Sequence, residues 1–348
     1  MTASVRSDTL SSSRELAKAA GDFDKWQFLD TLRDTRKEMH MGDRLKGKVA
    51  VITGAGRGIG RAHALAFAAE GAKVVVNDLG GAADGTGADK TPADEVVAEI
   101  KKMGGEAVAN YDTVATMEGA ERIIKTAIDT FGKIDILVNN AGVLRDRMIF
   151  NMTEEEWDTV ISVHLKGHFA CTKFACIAFR QQRSGRIINT SSVAGLGNMG
   201  QANYSAAKEG IVGFTRTVAR DMGRYGVTCN AIRPGAATRL TMSPELMAAW
   251  EKRQKTMGDS GLPGGELPDI TSYAPEAISP LVVFLCTDEA ANINGCTFDV
   301  HGGDIGLYSE PTIIKSIHKD GIWTVDELCK LIPKTLAAGL INPSPPKQ

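Results

Sequence analysis

Tyr204 and Lys208 stand four residues apart in Tyr-Ser-Ala-Ala-Lys, so on a helix the phenol and the ammonium lie one above the other on a single face. A positive charge beside a tyrosine stabilises its phenolate and lowers it from an ordinary value of about 10. A phenol tuned in this way can give and take the proton of an alcohol near neutral pH. The same spacing also arises where an aromatic ring packs beside a solvated lysine, so the pair needs a companion. Ser192, in Thr190-Ser-Ser-Val-Ala-Gly195, supplies one: a hydroxyl at the end of a strand just before the tyrosine helix can hydrogen-bond a substrate oxygen. Upstream, Val163-His-Leu-Lys-Gly167 carries an imidazole, His164. His164 and His168 share an i, i+4 face, but no glutamate follows His164 as in H-E-x-x-H, and no metal is expected.

A second group of residues has the pattern of a phosphate cradle. Thr53-Gly-Ala-Gly-Arg-Gly-Ile-Gly60 follows an apolar run and opens a helical stretch. In that context Gly54 allows the tight turn, Gly58 the approach of a pyrophosphate to the backbone, and Gly60 the packing of helix on strand, with Arg57 and Ile59 between them. The helix N-terminus adds N–H donors and partial positive charge. Asp78 ends the next strand, near the spacing at which a carboxylate binds adenosine ribose hydroxyls. It repels a 2′-phosphate, whereas Arg57 could pair with one; the carboxylate is the nearer group, which favours NAD over NADP. The alternative for Asp78 is an ordinary loop residue before Gly80-Gly81. Asp112 and Thr113 end the third strand, and Asn140, Ala141 and Gly142 follow the fourth. Of these, Asp112 and Asn140 face the adenosine half or cap their own turns. Pro234 and Gly235, closing the sixth strand, complete the candidate cofactor set.

The elements that must position these residues alternate from Lys48 onward. Strands are predicted at Val49–Thr53, Lys73–Asn77, Ala107–Tyr111, Ile134–Asn139, Arg186–Thr190, Thr228–Arg233 and Thr297–Val300. Helices are predicted at Arg61–Glu70, Pro92–Met103, Gly119–Phe131, Glu154–Ala178, Tyr204–Arg224 and Pro275–Cys286. The expected fold is α/β, a Rossmann-type doubly wound seven-stranded parallel sheet with helices on both faces. Residues 1–46 and 309–348 fall outside the alternation and read as extensions of a domain over 47–308. In the first, Trp26, Phe28, Leu29 and Leu32 share a helical face. In the second, Thr324-Val-Asp-Glu327 has the form of a capping box. The Met-, Gly- and Pro-rich stretch 240–271 leaves the carboxyl end of a strand and is expected to cover the substrate.

Composition narrows the partners. The 348 residues carry 40 basic and 42 acidic side chains, a net charge of -2, which gives no field to draw nucleic acid or an anionic membrane. Six cysteines without a C-x-x-C pair fit a reducing compartment. No apolar run has the length of a signal core or a membrane span, and the terminal Pro-Pro-Lys-Gln is not a peroxisomal address. A cytoplasmic location is the expectation.

The glycine turn, Asn-Asn-Ala-Gly, Ser-Ser and Tyr-x-x-x-Lys in this order resemble the short-chain dehydrogenase/reductase family, over about Leu45 to Gly306. The resemblance implies that Tyr204 exchanges a proton with the alcohol, Ser192 orients the carbonyl, and Lys208 holds the nicotinamide ribose while tuning the tyrosine. The family commonly separates serine from tyrosine by thirteen positions; Ser191 has that spacing, while strand alignment favours Ser192, twelve before. His164 stands where the family usually has asparagine. Val76-Asn-Asp-Leu-Gly-Gly81, Asn140-Ala-Gly-Val-Leu-Arg-Asp-Arg147 and Gly200-Gln-Ala-Asn-Tyr204 are similar to the (3R)-hydroxyacyl-CoA dehydrogenase part of peroxisomal multifunctional enzymes of type 2, which also has this histidine. Departures are the N-terminal extension, the 240–271 insertion, and no room for hydratase and lipid-carrier modules. The implied reaction is NAD-dependent oxidation of a 3-hydroxyacyl-CoA by a homo-oligomer, tetramer or dimer. The alternatives are a dehydrogenase of a free steroid or cyclic alcohol, and a non-catalytic dinucleotide-binding partner subunit. Arg145 and Arg147 could meet CoA phosphates, though rim arginines more often form surface ion pairs.

Overall fold

A computed structural model describes residues 42–236 and 273–343. The amphipathic stretch around Trp26 to Leu32 and the insertion at 240–271 lie outside the described residues. The chain divides into two compact units, one ending at Leu307 and the other beginning at Tyr308.

The first unit is built on strands β1 (Val49–Thr53), β2 (Lys73–Asn77), β3 (Ala107–Asn110), β4 (Ile136–Asn139), β5 (Gly185–Thr190), β6 (Val227–Gly235) and β7 (Thr297–His301). Their continuous apolar runs, VAVIT and KVVVN among them, suit strands covered on both faces. All seven pair in parallel, in the order β3-β2-β1-β4-β5-β6-β7. An eighth strand, β8 (Asp304–Leu307), adds to β7 in antiparallel register, so the sheet has eight strands rather than the expected seven. His301 pairs with Asp304 across a two-residue Gly302-Gly303 turn, and Gly302 takes φ +52°, a conformation open to glycine.

Helices α1 (Gly58–Ala69), α2 (Thr91–Lys102), α3 (Met117–Phe131), α4 (Glu154–Ile161), α5 (Gly167–Gln182), α6 (Ala202–Gly223) and α7 (Ser279–Phe284) cover the sheet. Strand residues alternate between two cores. Ala50 and Ile52 pack with Phe67 of α1, Val96 of α2 and Leu281 of α7. Val49 and Val51 face the opposite cluster with Ile123 of α3, Phe179 of α5 and Met222 of α6. Thr153 and Glu156 form a reciprocal capping box at the start of α4. The expected single helix over Glu154–Ala178 is interrupted by a π turn at Ser162–Lys166, which separates α4 from α5. Likewise the stretch from Pro275 begins as a 3-10 turn, Pro275–Ile278, before α7.

The strand order reverses between β1 and β4. In open parallel sheets the crevice at such a switch point, outside the carboxyl ends of the strands, receives the ligand. In the second unit Thr324 and Glu327 form the expected capping box on α8 (Val325–Leu331), and Lys319 Nζ pairs with Glu327 Oε1 at 2.6 Å.

Candidate active site

The β1–α1 turn is closed to the limit that glycine permits. A Cβ on Gly60 would lie 2.1 Å from the Gly54 carbonyl oxygen and 2.5 Å from Asn140 Nδ2, and one on Gly54 would lie 2.7 Å from Ala141 Cα. Gly54 and Gly58 also take positive φ, +63° and +53°. Asn140 ties the two strand ends together: its Nδ2 donates to the carbonyls of Thr53 at 3.0 Å and Gly54 at 3.2 Å. Asp78 is a structural member of the turn as well, accepting from Gly56 N at 2.7 Å and Gly80 N at 2.6 Å, one on each carboxylate oxygen. Asp112 accepts from Arg122 Nε at 2.7 Å and from Asn110 Nδ2 at 3.0 Å, and Thr113 Oγ1 accepts from Ala115 N at 3.2 Å. The turn-capping reading of Asn140, Asp112 and Thr113 therefore has direct partners. Arg57 occupies the N-cap of α1 without a side-chain cap, which leaves the first-turn N–H groups facing the crevice. At the far side Pro234 and Gly235 pair with Val300 and His301 at the end of β6.

Below this edge a ladder of buried amides and hydroxyls fixes the strand ends. Asn139 Nδ2 donates to Thr172 Oγ1 at 3.0 Å and Asn189 Oδ1 at 2.9 Å, and Asn189 Nδ2 donates to Thr215 Oγ1 at 2.9 Å. These bonds lace β4 and β5 to α5 and α6, and they satisfy groups that would be costly to bury unpaired.

The two adjacent serines after β5 have separate fates. Ser191 is buried, and its hydroxyl donates to the Lys208 carbonyl at 2.7 Å. Ser192 is half-buried, and its side chain acts on Tyr204 in the direction that favours the phenolate. Arg233 Nη1 holds the Ser192 carbonyl at 3.0 Å. The serine thirteen positions before the tyrosine thus bonds the backbone of the tyrosine helix, which leaves the one twelve before it as the candidate for the site.

Tyr204 and Lys208 do share a face of α6, with Lys208 Nζ 5.3 Å from the ring centroid. The electrostatics differ from the expectation, however. Burial pushes Tyr204 up to about 12, with Ser192 opposing and the Asp146 carboxylate adding to the rise. Burial also lowers Lys208 to about 7. The lysine is desolvated, donates to the Thr190 carbonyl at 2.6 Å and sits over the ring rather than at the phenol oxygen, so it does not lower the tyrosine in this state.

His164 lies in the π turn with its ring edge-on to Tyr204 at 5.1 Å. Its Nε2 lies 3.0 Å from Val143 N and 2.8 Å from Val143 O, and a Cβ on Gly142 would lie 2.5 Å from its Cε1. Burial, then the Lys208 charge, holds the imidazole well below its ordinary value, so it is neutral. Its Nδ1 is buried and finds no partner among the described residues, as does Thr190 Oγ1. His168 Nδ1 lies 2.7 Å from the His164 carbonyl oxygen.

Arg145 and Arg147 are turned outward: Arg145 Nε donates to the Asp84 carbonyl at 2.6 Å, and Arg147 pairs with Glu156 at 2.8 Å. Three residues not singled out from the sequence join the site. Asn203 Nδ2 donates to the carbonyls of Arg145 at 2.9 Å and Glu156 at 3.0 Å. Gln201 Nε2 donates to Asp146 Oδ2 at 2.7 Å. The shared signal was their place beside Tyr204 and the fourth strand.

A glycine-rich turn at the switch point of a parallel sheet, with a buried lysine, a tyrosine and a serine at the same edge, defines a nicotinamide-dinucleotide oxidoreductase. The comparisons with known proteins agree. A family model described as short chain dehydrogenase matches residues 48–249. The mouse peroxisomal multifunctional enzyme type 2 is 46% identical over 266 residues, 76% of this chain and 33% of that enzyme, so the chain spans a third of its length. Hydroxyacyl-CoA dehydrogenase ChsB1 of Mycobacterium tuberculosis is 42% identical over 294 residues, covering 82% of this chain and 87% of the relative. The crystal structure of a short chain dehydrogenase from Mycobacterium avium superposes with a TM-score of 0.71 at 46% identity, over 84% of this chain and 96% of that one. The chain belongs to the short-chain dehydrogenase family, and its dehydrogenase region is similar to that of the type 2 multifunctional enzymes. Among the described residues no helix is long and apolar enough to cross a membrane.

Proposed function

We propose that the chain oxidises the hydroxyl of a 3-hydroxyacyl-CoA to the ketone, with NAD as hydride acceptor and Tyr204 as the acid–base group. The observation that carries the reading is the placement of Ser192, just after β5, and Tyr204, in the first turn of α6, at the same carboxyl edge of the sheet as the glycine turn, with buried Lys208 over the tyrosine ring. Ser192 donates to the substrate oxygen and holds it against the phenol. Tyr204 takes the hydroxyl proton, and Lys208, with one of its N–H groups held by Thr190, directs the others toward the cofactor ribose. His164 presents Nδ1 to a bridging water behind the lysine, the work that an amide does elsewhere in the family. The bound nicotinamide supplies the hydride acceptor and a positive charge that favours the phenolate.

The turn residues fit a dinucleotide: Gly54 and Gly60 leave no room for a side chain, Gly54 and Gly58 take positive φ, and the first-turn N–H groups of α1, after Arg57 and Ile59, would hold the pyrophosphate. Asp78, fixed by two backbone donors, presents its remaining lone pairs to the ribose and disfavours a 2′-phosphate, which supports NAD over NADP. Asp112, Thr113, Asn140, Ala141, Gly142, Pro234 and Gly235 act by shaping the walls of that crevice. The similarity to a protein named as a hydroxyacyl-CoA dehydrogenase, nearly along its whole length, supports the CoA thioester over a free alcohol. A homo-oligomer formed through α5 and α6 is part of the same reading.

The test is the rate of nicotinamide reduction with (3R)- and (3S)-hydroxyacyl-CoA, free cyclic and steroid alcohols, and both dinucleotides, for the native chain and for Tyr204→Phe. Turnover of CoA thioesters with NAD, abolished in Tyr204→Phe, is the expected result. Turnover confined to free alcohols refutes the CoA assignment, and full activity in Tyr204→Phe refutes the mechanism.

A further inference from the structure

Three consecutive charged residues follow β4: Arg145, Asp146 and Arg147. The two cations are spent away from the crevice, Arg145 on the Asp84 carbonyl and Arg147 in an ion pair with Glu156. The anion between them has a neutral partner. Asp146 Oδ2 accepts from the Gln201 side chain at 2.7 Å, and the orientation of that amide is set because Gln201 Oε1 accepts from Asn198 Nδ2 at 2.8 Å. The backbone fixes the same geometry: Arg147 N donates to the Gly200 carbonyl at 2.8 Å, and Asn203, which caps Tyr204 N at 2.7 Å, also holds the Arg145 carbonyl. Asp146, an exposed carboxylate, is thereby tied to Gln201 at the start of α6, three residues before the tyrosine, and its charge acts to raise the phenol.

The groups that face Tyr204 are Lys208 from its own helix, the neutral His164 ring from the π turn, Ser192 from the loop after β5, and Asp146 from the segment after β4. Lys208 Nζ is committed to the Thr190 carbonyl on the buried side. An anionic group brought to the phenol on a substrate therefore meets a fixed carboxylate, and the arginines next to that carboxylate in sequence do not offset it.

We propose that Asp146 is a charge filter at the catalytic tyrosine, admitting hydroxyl substrates whose neighbouring carbonyl is neutral, as in a thioester, and turning away the corresponding free hydroxy carboxylates. The proposal deepens the proposed function and rests on Tyr204 being its acid–base group. Two unit charges a few ångströms apart at a protein surface interact strongly enough to change a rate about tenfold, less as salt screens them.

The experiment compares kcat/KM for the N-acetylcysteamine thioester and the free acid of one 3-hydroxy acid, at low and moderate salt, in the native chain, Asp146→Asn and Asp146→Glu. Asparagine keeps the size and the acceptor for Gln201. The expected result is a thioester preference that narrows about tenfold in Asp146→Asn through a gain on the acid, is restored in Asp146→Glu, and weakens with salt in the native chain. A ratio unchanged by Asp146→Asn, or unaffected by salt in the native chain, overturns the proposal. If the native chain oxidises only free alcohols, the thioester reading fails by itself, and the filter is read from a neutral alcohol and its carboxylated analogue with the same variants.

Discussion

Alanine at Ser191 and at Ser192 removes two hydroxyls that neighbour each other in sequence and do opposite work. Ser191 makes one buried hydrogen bond, to the Lys208 carbonyl at 2.7 Å, between the end of β5 and α6. Its loss leaves a packed methyl and a carbonyl short of one donor, a cost of about 1–2 kcal/mol in stability, with activity held within a few-fold. Ser192 favours the Tyr204 phenolate and, in the proposed reaction, holds the substrate oxygen. Its hydroxyl accepts from Ala194 N at 3.2 Å in a partly buried turn, so stability changes by less than about 1 kcal/mol. Removing one preorganised donor to a reacting oxygen costs about 3 kcal/mol of barrier, roughly a hundredfold or more in kcat. Urea unfolding and initial rates of nicotinamide reduction on both variants separate the two effects. Loss of turnover in Ser191→Ala with Ser192→Ala active would refute the assignment, because the hydroxyl thirteen positions before the tyrosine would then be the functional one.

Other perturbations have equally definite outcomes. His63, His164 and His168 are neutral in the folded chain, two of them lowered to about 3 and the third well below its ordinary value, all by burial. The unfolded chain protonates them near 6.5, so stability is complete above that pH and falls below it, each histidine contributing about 1.4 kcal/mol per pH unit. Urea titrations between pH 7.5 and 5.5 should show a slope approaching three protons; a flat profile would contradict the neutral assignment. Gly60→Ala places a methyl 2.1 Å from the Gly54 carbonyl and should abolish dinucleotide binding measured by fluorescence titration, while Gly213→Ala, with open space around it, should bind normally. Asn203→Ala removes the donor to the Arg145 and Glu156 carbonyls and should lower the midpoint of unfolding together with kcat, whereas unchanged kcat would show that the segment after β4 positions nothing in the site.

The parallel sheet was legible because each of its strands is an apolar run bounded by turn residues, and the glycine turn because three glycines at that spacing after a strand have few other uses. Tyr204, Lys208 and Ser192 were legible as a set by order along the chain. The last strand was missed because the predicted sheet stopped at Val300, although the Gly302-Gly303 that follows is the signature of a tight hairpin. The break between α4 and α5 left no proline or glycine inside Ser162–Lys166 to mark it. The direction of the Tyr204 shift depends on burial, which the spacing of two residues cannot carry. Asp146 escaped for a similar reason: its partner Gln201 lies 55 positions away, and only the folded chain shows that the neighbouring arginines point elsewhere.

The π turn also has a bearing on how related chains are matched residue by residue. Each residue of an α-helix advances about 100° around its axis, so the widened turn changes the phase between Trp157 on one side and Cys171 on the other. A relative that lacks it would need one residue fewer between those positions to present the same faces to its core. A gap placed in the loop after α5 would put every buried position of that helix one step out of phase, whereas deletion of a single residue from Ser162–Lys166 closes the turn to regular α-helix and keeps Cys171 and Ala175 in the core.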